Sequence, residues 1–245
     1  MIESMRGKSV VITGASRGIG LGIARGFAAA GANLTLIALE EPIVAKAAEL
    51  GAKGFAADIR DGEAVSKALA TVTHIDVLIN NAGLELITPL ADGGVEVEDA
   101  FRRIIEINVI GTQIVTRRAV PKMARGGCII NTASTWGRIA EPLFGAYVAS
   151  KHAVIGLTKT WAKELGPKGI RVNSVCPGWV RTDASMRSLK NMSARQNIGE
   201  DELLARIVGG QALPGLMEPE DMAEPYMFLA SDAARNITGQ SLGVD

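Results

Sequence analysis

The sequence predicts an α/β fold in which one doubly wound parallel sheet of about seven strands is flanked by helices. Short runs rich in β-branched residues alternate with helix-like segments along all 245 residues. Several of these runs are apolar throughout, which is typical of strands covered by helices on both faces. No linker rich in Pro, Gly or Ser and no internal repeat interrupts the alternation. We therefore expect a single domain over residues 1–245.

Seven runs have the composition of strands. In chain order they are SVVITG (9–14), NLTLIAL (33–39), GFAAD (54–58), DVLINNAG (76–83), GCIINTAS (127–134), IRVNSVCPG (170–178) and SLGVD (241–245). The segments between them predict helices, and residues 152–169 end with Gly and Pro, as helices commonly do. Residues 183–217 break the alternation and carry methionines among charged residues. Excursions of this length are usually lids or substrate loops, with disorder as the alternative, so we expect a substrate loop here.

Composition argues against several classes of protein. Lys and Arg together number 26, as do Asp and Glu, so no net charge favours nucleic acid or an anionic membrane as partner. No apolar run approaches the length of a membrane span, and the first residues lack the apolar core of a signal peptide. Cys128 and Cys176 lie in apolar runs without a zinc or redox spacing, which predicts buried free thiols of a cytoplasmic protein. With only His74 and His152, we expect no metal centre.

A glycine-rich turn follows the first strand directly. The run TGASRGIG (13–20) lies between that strand and an alanine-rich helix. Glycines allow a tight turn, and the backbone amides and helix dipole favour the negative charge of a pyrophosphate. The turn therefore predicts a dinucleotide site. Its expected contacts are Gly14, Ser16, Arg17, Gly18, Ile19 and Gly20.

The end of the second strand bears on the choice between NAD and NADP. A carboxylate there binds the adenosine ribose of NAD, but this chain has Ala38 and Leu39 at that point, followed by Glu40. Arg17 lies inside the glycine turn, where a guanidinium could pair with a 2′-phosphate. This pattern favours NADP, although Glu40 could still reach a ribose and Arg17 could instead form a surface ion pair.

Six motifs occur together and in one order. They are TGASRGIG, NNAG (80–83), INV (107–109), NTAS (131–134), YVASK (147–151) and PGWVRT (177–182). In this combination the chain resembles the short-chain dehydrogenase/reductase family along essentially its whole length. The resemblance implies a single Rossmann-type domain and an NAD(P)-dependent oxidoreductase that interconverts a secondary alcohol and a ketone.

The resemblance also implies the roles of individual residues. Tyr147 would be the general acid/base, and Lys151 would hold the nicotinamide ribose and stabilise the tyrosinate. Ser134 would hydrogen-bond the substrate oxygen, and Asn108 would anchor a water chain that resupplies protons. Further cofactor contacts implied in this way are Asp58, Ile59, Asn81, Ala82, Gly83, Pro177, Gly178, Val180 and Thr182.

The spacing of Tyr147 and Lys151 agrees with these roles. Four positions apart on a helix, the two side chains lie on one face about a turn apart. A free phenol has a pKa of about 10. We expect the lysine ammonium and the cationic oxidised nicotinamide to lower that pKa. Taken alone, such a pair is more often a surface feature. His152 faces another side of the helix and is interpreted as structural.

Substrate identity is the least constrained feature. Trp136 and Trp179 flank the expected reaction centre and predict an apolar or sugar-stacking wall. Further candidates for the pocket are Arg138, Glu141 and Phe144. A sugar or polyol, a 3-oxoacyl thioester and a small hydrophobic ketone all stay open.

Three functions stay open as well. The preferred one is an NADP(H)-dependent alcohol dehydrogenase or ketone reductase, and the second is an NAD-dependent sugar or polyol dehydrogenase of the same family. The third is a non-catalytic dinucleotide sensor. The resemblance also implies a homotetramer or homodimer formed through helices over about 95–124 and 145–165. Family members usually continue past GQSLGVD with glycines and a short tail, which leaves open a contribution to a neighbouring pocket.

Overall fold

All seven expected strands form, and they pair into one parallel sheet. The computed structural model describes residues 5–91, 94–213 and 215–245. The strands are β1 (Ser9–Thr13), β2 (Asn33–Ala38), β3 (Lys53–Ala56), β4 (Ile75–Asn80), β5 (Met123–Thr132), β6 (Arg171–Pro177) and β7 (Ser241–Val244). Their order in the sheet is β3-β2-β1-β4-β5-β6-β7, with Ile12 of β1 opposite both Leu36 of β2 and Ile79 of β4. The predicted fold class is confirmed.

Nine α-helices lie in the described part of the chain. They are α1 (Gly18–Ala29), α2 (Ile43–Glu49), α3 (Gly62–Ala68), α4 (Val95–Ile105), α5 (Thr112–Ala119), α6 (Gly145–Leu165), α7 (Asp183–Gln196), α8 (Glu200–Gly209) and α9 (Ala223–Ala230). A wider π-helical turn, Glu106–Gly111, joins α4 to α5, so the chain stays helical from 95 to 119. None of the described helices is both long and apolar enough to cross a membrane.

Alternating strand residues fill a core on each face of the sheet. Val10 and Ile12 pack with Phe27 of α1 and Tyr226 of α9 on one face. Val11 packs with residues of α3, α5 and α6 on the other face. This two-sided burial is the reason the strand runs are apolar throughout. The expectation that Cys128 and Cys176 are buried free thiols is also confirmed.

The described part of residues 183–217 is largely helical. It contains α7 and α8, and α7 begins at a capping box in which Thr182 and Ser185 satisfy each other's backbone N–H groups. Leu189, Met192 and Leu203 from these helices are buried against Phe144 and pack on Trp136, Tyr147 and Trp179. The segment therefore folds as a pair of helices over one end of the sheet.

Loops that follow β1, β4, β5 and β6 meet at the carboxyl edge of the sheet. The strand order reverses between β1 and β4, and open α/β sheets bind ligands in the crevice at such a point. Asn81, just after β4, donates from its backbone N–H to Thr13 Oγ1 at 3.1 Å and from Nδ2 to the Gly14 carbonyl at 3.1 Å. The glycine turn and the NNAG segment are thereby held side by side.

Replacement of Gly20 by alanine tests how closely the glycine turn is packed. A Cβ at this position would overlap the carbonyl oxygen of Gly14, a backbone atom that cannot move freely. We expect Gly20→Ala to lower the free energy of unfolding by about 1–3 kcal/mol, measured by urea denaturation.

Gly156→Ala in α6 is the matched control. A Cβ there meets no heavy atom within 4 Å. Alanine is favoured over glycine in a helix, so this variant should raise the free energy of unfolding by roughly 0.5–1 kcal/mol. Equal stability of the two variants would contradict the packing described for the turn.

Candidate active site

A cleft of about 400 Å³ lies at the carboxyl edge of the sheet. The predicted catalytic and cofactor-binding residues all line this cleft except Gly20 and Asn108, and so do Trp136 and Trp179. The predicted residues that line it are Gly14, Ser16, Arg17, Gly18, Ile19, Asp58, Ile59, Asn81, Ala82, Gly83, Ser134, Trp136, Tyr147, Lys151, Pro177, Gly178, Trp179, Val180 and Thr182. Gly14 and Thr182, 168 positions apart in sequence, thus share one surface.

The glycine turn forms one end of the cleft. Gly14 has a φ of +65°, and a Cβ there would lie 2.6 Å from the Cα of Ala82. The turn can therefore approach the NNAG segment only with glycine at this position. Arg17 precedes α1 without a side-chain cap on the helix, so the first amides of α1 are available to an anion. These features fit the pyrophosphate of a dinucleotide.

Two charged clusters lie near this end. Glu40 Oε1 pairs with Arg17 Nη2 at 3.1 Å, and Glu40 Oε2 accepts a hydrogen bond from Ser16 Oγ at 3.3 Å. Arg60 binds the Asp58 carboxylate through Nε and Nη2, and these hydrogen bonds lower the pKa of Asp58. Both acidic groups are thus already paired with guanidinium groups of the protein.

Three polar side chains meet at the other end of the cleft. Tyr147 and Lys151 come from α6, and Ser134 comes from the turn after β5. Lys151 Nζ donates to the Thr132 carbonyl at 2.7 Å and lies 5.4 Å from the centroid of the Tyr147 ring. The side chain of Lys151 is buried. The helical spacing predicted from the sequence therefore brings the phenol and the ammonium to one surface.

The protein's own groups do not lower the pKa of Tyr147. Burial raises it, the charge of Glu85 raises it further, and hydrogen bonding to Ser134 lowers it by less. Burial also lowers the pKa of Lys151 to about 8. The expected lowering of the tyrosine pKa by Lys151 is not found here, because desolvation and the charge of Glu85 dominate. Such a lowering would require a further positive charge in the cleft.

Asn108 lies behind the cleft rather than in it. Its Oδ1 accepts a hydrogen bond from the N–H of Leu84 at 2.7 Å, and its Nδ2 donates to the Leu84 carbonyl and to Ser150 Oγ, each at 2.9 Å. The side-chain amide is therefore fully used within the protein. The family resemblance implies that Asn108 anchors a water chain. Such a contact would have to use the main-chain groups of Asn108.

Trp136 and Trp179 form an aromatic wall beside Tyr147. Their ring centroids are 6.3 Å apart with an interplanar angle of 78°, and Phe144 packs behind Trp136 at 4.7 Å. The other three pocket candidates do not line the cleft, since Phe144 is buried, Arg138 donates to the Ser241 carbonyl and Glu141 lies outside.

Sequence reasoning missed several residues that line the cleft. They are Ala57, Arg60, Leu84, Glu85, Arg103, Ile107, Thr132, Ala133 and Thr135, while Asp183, Ala184, Ser185 and Ser188 come from the expected substrate loop but were not singled out within it. Of these, Glu85 could have been inferred, because it follows the carboxyl end of a strand by a few residues. Ser188 could not, because its position depends on the packing of α7 over the site.

Comparisons with known proteins agree with this geometry. A family model described as enoyl-(acyl carrier protein) reductase matches residues 14–245. Oxidoreductase UcpA of Salmonella typhimurium is 38% identical over 98% of this chain and 94% of its own length. D-beta-hydroxybutyrate dehydrogenase of Rhizobium meliloti is 34% identical over 97% of each chain.

A solved structure is similar over nearly the same extent. The ligand-free aldohexose dehydrogenase AldT of Thermoplasma acidophilum superimposes with a TM-score of 0.88 at 30% identity, over 99% of this chain and 94% of the other. The resemblance carried by the six motifs is therefore confirmed at the level of sequence and of fold. This chain is an oxidoreductase that belongs to the short-chain dehydrogenase/reductase family.

Proposed function

We propose that this protein is an NAD(P)-dependent dehydrogenase that interconverts a secondary alcohol and a ketone, with Tyr147 as general acid/base. The observation that carries the proposal is the shared cleft. Ser134, Tyr147 and Lys151 line the end opposite a glycine turn suited to a dinucleotide. A dinucleotide that spans such a cleft would bring its reactive ring to the end with the proton donors.

The bound nicotinamide would supply or accept the hydride. Reduction of a ketone builds negative charge on the substrate oxygen, which needs a proton donor and a fixed hydrogen-bond partner. Tyr147 would donate its phenolic proton to that oxygen, and Ser134 Oγ would donate a hydrogen bond to it. In the oxidative direction the same phenolate would remove the hydroxyl proton of the alcohol.

Lys151 would act on both the cofactor and the tyrosine. With a pKa of about 8, its amine is mostly protonated at neutral pH. The ammonium lies against the Tyr147 ring, so its charge favours the tyrosinate in the dry part of the cleft. Its remaining N–H groups could hold the ribose next to the nicotinamide.

We further infer that NAD(H) is favoured over NADP(H). The sequence favours NADP because Arg17 lies in the glycine turn, but Arg17 is paired with Glu40. A 2′-phosphate would have to displace that carboxylate and would be repelled by it. The hydroxyls of an adenosine ribose could instead donate to Glu40 without breaking the pair.

The remaining parts of the proposal concern the state of the protein in the cell. The buried thiols of Cys128 and Cys176 are consistent with a cytoplasmic location.

Phe101 and Ile110 lie partly exposed on the helical run from 95 to 119, as expected of a homotetramer or homodimer that uses this surface. A non-catalytic sensor would not need the three polar groups beside the aromatic wall.

Tyr147→Phe tests the acid/base role. The variant keeps the ring and removes the proton donor, so we expect turnover to fall by about 10²–10⁴-fold. Affinity for NADH, measured by fluorescence titration, should stay within about twofold of wild type, because the phenol acts on the substrate oxygen.

Tyr226→Phe removes the hydroxyl of the only other tyrosine and serves as the control. Tyr226 is buried behind β5 and does not line the cleft. This variant should retain turnover. Retained activity in Tyr147→Phe would refute the assignment of the acid/base.

Glu40→Gln tests the cofactor preference. Removal of the charge frees Arg17 and ends the repulsion of a 2′-phosphate, so we expect NADPH affinity to rise relative to NADH by roughly fivefold, equivalent to about 1 kcal/mol for an exposed pair. Glu41→Gln, which removes the neighbouring carboxylate outside the cleft, should leave the ratio unchanged. Wild-type protein that binds NADPH more tightly than NADH would contradict the inference.

A further inference from the structure

Glu85 presents a carboxylate to the end of the cleft that holds Tyr147. It lies five residues after β4 and lines the cleft, as does Ser188 of α7. Ser188 Oγ donates to Glu85 Oε1 at 2.5 Å, and Arg187 Nη2 donates to the Glu85 backbone carbonyl at 3.4 Å. The carboxylate is therefore held in place from a neighbouring helix.

The second oxygen of this carboxylate is open to a ligand. Within the described residues, Oε1 is the only one of the two oxygens that accepts a hydrogen bond, and no ion pair involves Glu85. Its backbone neighbour Leu84 is fixed by Asn108, so the carboxylate cannot withdraw easily. Because the carboxylate is already held in place, it can accept a hydrogen bond from a ligand hydroxyl with little further loss of side-chain conformational entropy.

The described cations that line the cleft act mainly on groups other than Glu85. The described cleft-lining residues with a positive charge are Arg17, Arg60, Arg103 and Lys151. Arg17 is paired with Glu40 and Arg60 with Asp58, and the charge of Arg103 also acts on Asp58, whose pKa it helps to lower. Lys151 donates to the Thr132 carbonyl. Arg187, which donates to the Glu85 backbone carbonyl, does not line the cleft, so a substrate with its own carboxylate would meet Glu85 with no cleft-lining guanidinium bound to it.

Glu85 lines the same cleft as Ser134, Tyr147 and Lys151, and its charge acts on the phenol of Tyr147. Its charge is the second-largest influence on Tyr147, after burial, and raises the pKa of the phenol. Burial raises the pKa of Glu85 itself, and the Ser188 hydrogen bond and the charge of Arg187 oppose that rise. A ligand that contacts Tyr147 is thus within the reach of the Glu85 charge.

We propose that Glu85, positioned by Ser188, selects a neutral polyhydroxy substrate by accepting a hydrogen bond from a second hydroxyl, and disfavours hydroxy-acid anions. The proposal rests on the dehydrogenase function proposed above. Trp136 and Trp179 complement it, because an aromatic face packs well on the C–H face of a sugar or polyol. The cleft would then distinguish its substrates by charge as well as by shape.

The test compares three substrates, each with NAD. They are an aldohexose, 3-hydroxybutyrate and 2-butanol, which represent a polyhydroxy compound, an anionic hydroxy acid and a simple secondary alcohol. Wild-type protein should turn over the aldohexose with a higher kcat/KM than 3-hydroxybutyrate.

Glu85→Ala should lower kcat/KM for the aldohexose by about a hundredfold and change that for 2-butanol by less than about threefold. The isosteric Glu85→Gln keeps an acceptor oxygen but removes the charge, so it should retain part of the aldohexose activity. It should raise kcat/KM for 3-hydroxybutyrate by about tenfold. Ser188→Ala should raise KM for the aldohexose more than it lowers kcat.

Glu141→Gln is the matched control. Glu141 is also a partly buried carboxyl near the site, but it lies outside the cleft, so all three substrates should be unaffected. Quenching of tryptophan fluorescence by a non-oxidisable polyol analogue would report binding without turnover, because two of the three tryptophans line the cleft. Glu85→Ala should weaken that binding by a similar factor.

The outcomes separate the two proposals. Equal losses on all three substrates in the Glu85 variants would mean a structural role and would overturn the inference. So would a wild-type preference for 3-hydroxybutyrate, while the dehydrogenase function would stand in both cases. No hydride transfer to or from any substrate with either cofactor would refute the proposed function and this inference with it. If Glu85→Ala fails to fold, Glu85→Gln supplies the same comparison.

Discussion

The buried side-chain amide of Asn108 joins three elements of the fold at the catalytic end of the cleft. It lies in the π-helical turn between α4 and α5, and it bonds to both backbone groups of Leu84 and to Ser150 of α6. Leu84 precedes Glu85, and Ser150 lies between Tyr147 and Lys151. Loss of the Asn108 amide would leave the Leu84 backbone groups without these partners, at a cost of about 1–3 kcal/mol for each buried group left unpaired. The positions of the acid/base and of the neighbouring carboxylate therefore depend on this one residue.

A second set of buried hydrogen bonds aligns the strand ends from which the site is built. Asn80 Nδ2 donates to Asn131 Oδ1 of the adjacent strand at 2.9 Å, and Asn131 Nδ2 donates to Thr158 of α6 at the same distance. Buried polar groups pair specifically, so these side chains tolerate no slip between β4, β5 and α6. Thr132 follows Asn131, and its carbonyl accepts the hydrogen bond from Lys151. The placement of the lysine is thus a consequence of strand register.

Features set by neighbours in sequence could be predicted, and features set by contacts between distant segments could not. The apolar strand runs, the glycine turn and the spacing of Tyr147 and Lys151 are local patterns, and the structure contains each of them. The pairing of Arg17 with Glu40 depends on how the turn after β2 folds back. The Thr182 and Ser185 capping box is a local signal for the helix that begins at Asp183. No local signal indicates that this helix packs over the cleft. The hydrogen bond from Ser188 to Glu85 depends on that packing and could not be predicted from the sequence.

The charge of Glu85 and the chemistry proposed for Tyr147 are coupled. A carboxylate near the phenol raises its pKa, which keeps Tyr147 in the protonated form needed for ketone reduction and lowers the fraction of phenolate needed for alcohol oxidation. A substrate hydroxyl that donates to Glu85 would disperse part of that negative charge and so reduce its effect on the phenol. The ammonium of Lys151, 5.4 Å from the centroid of the ring, acts in the opposite sense. The acidity of Tyr147 in a ternary complex would therefore depend on whether the substrate carries a second hydroxyl, which links substrate selection to proton transfer within one cleft.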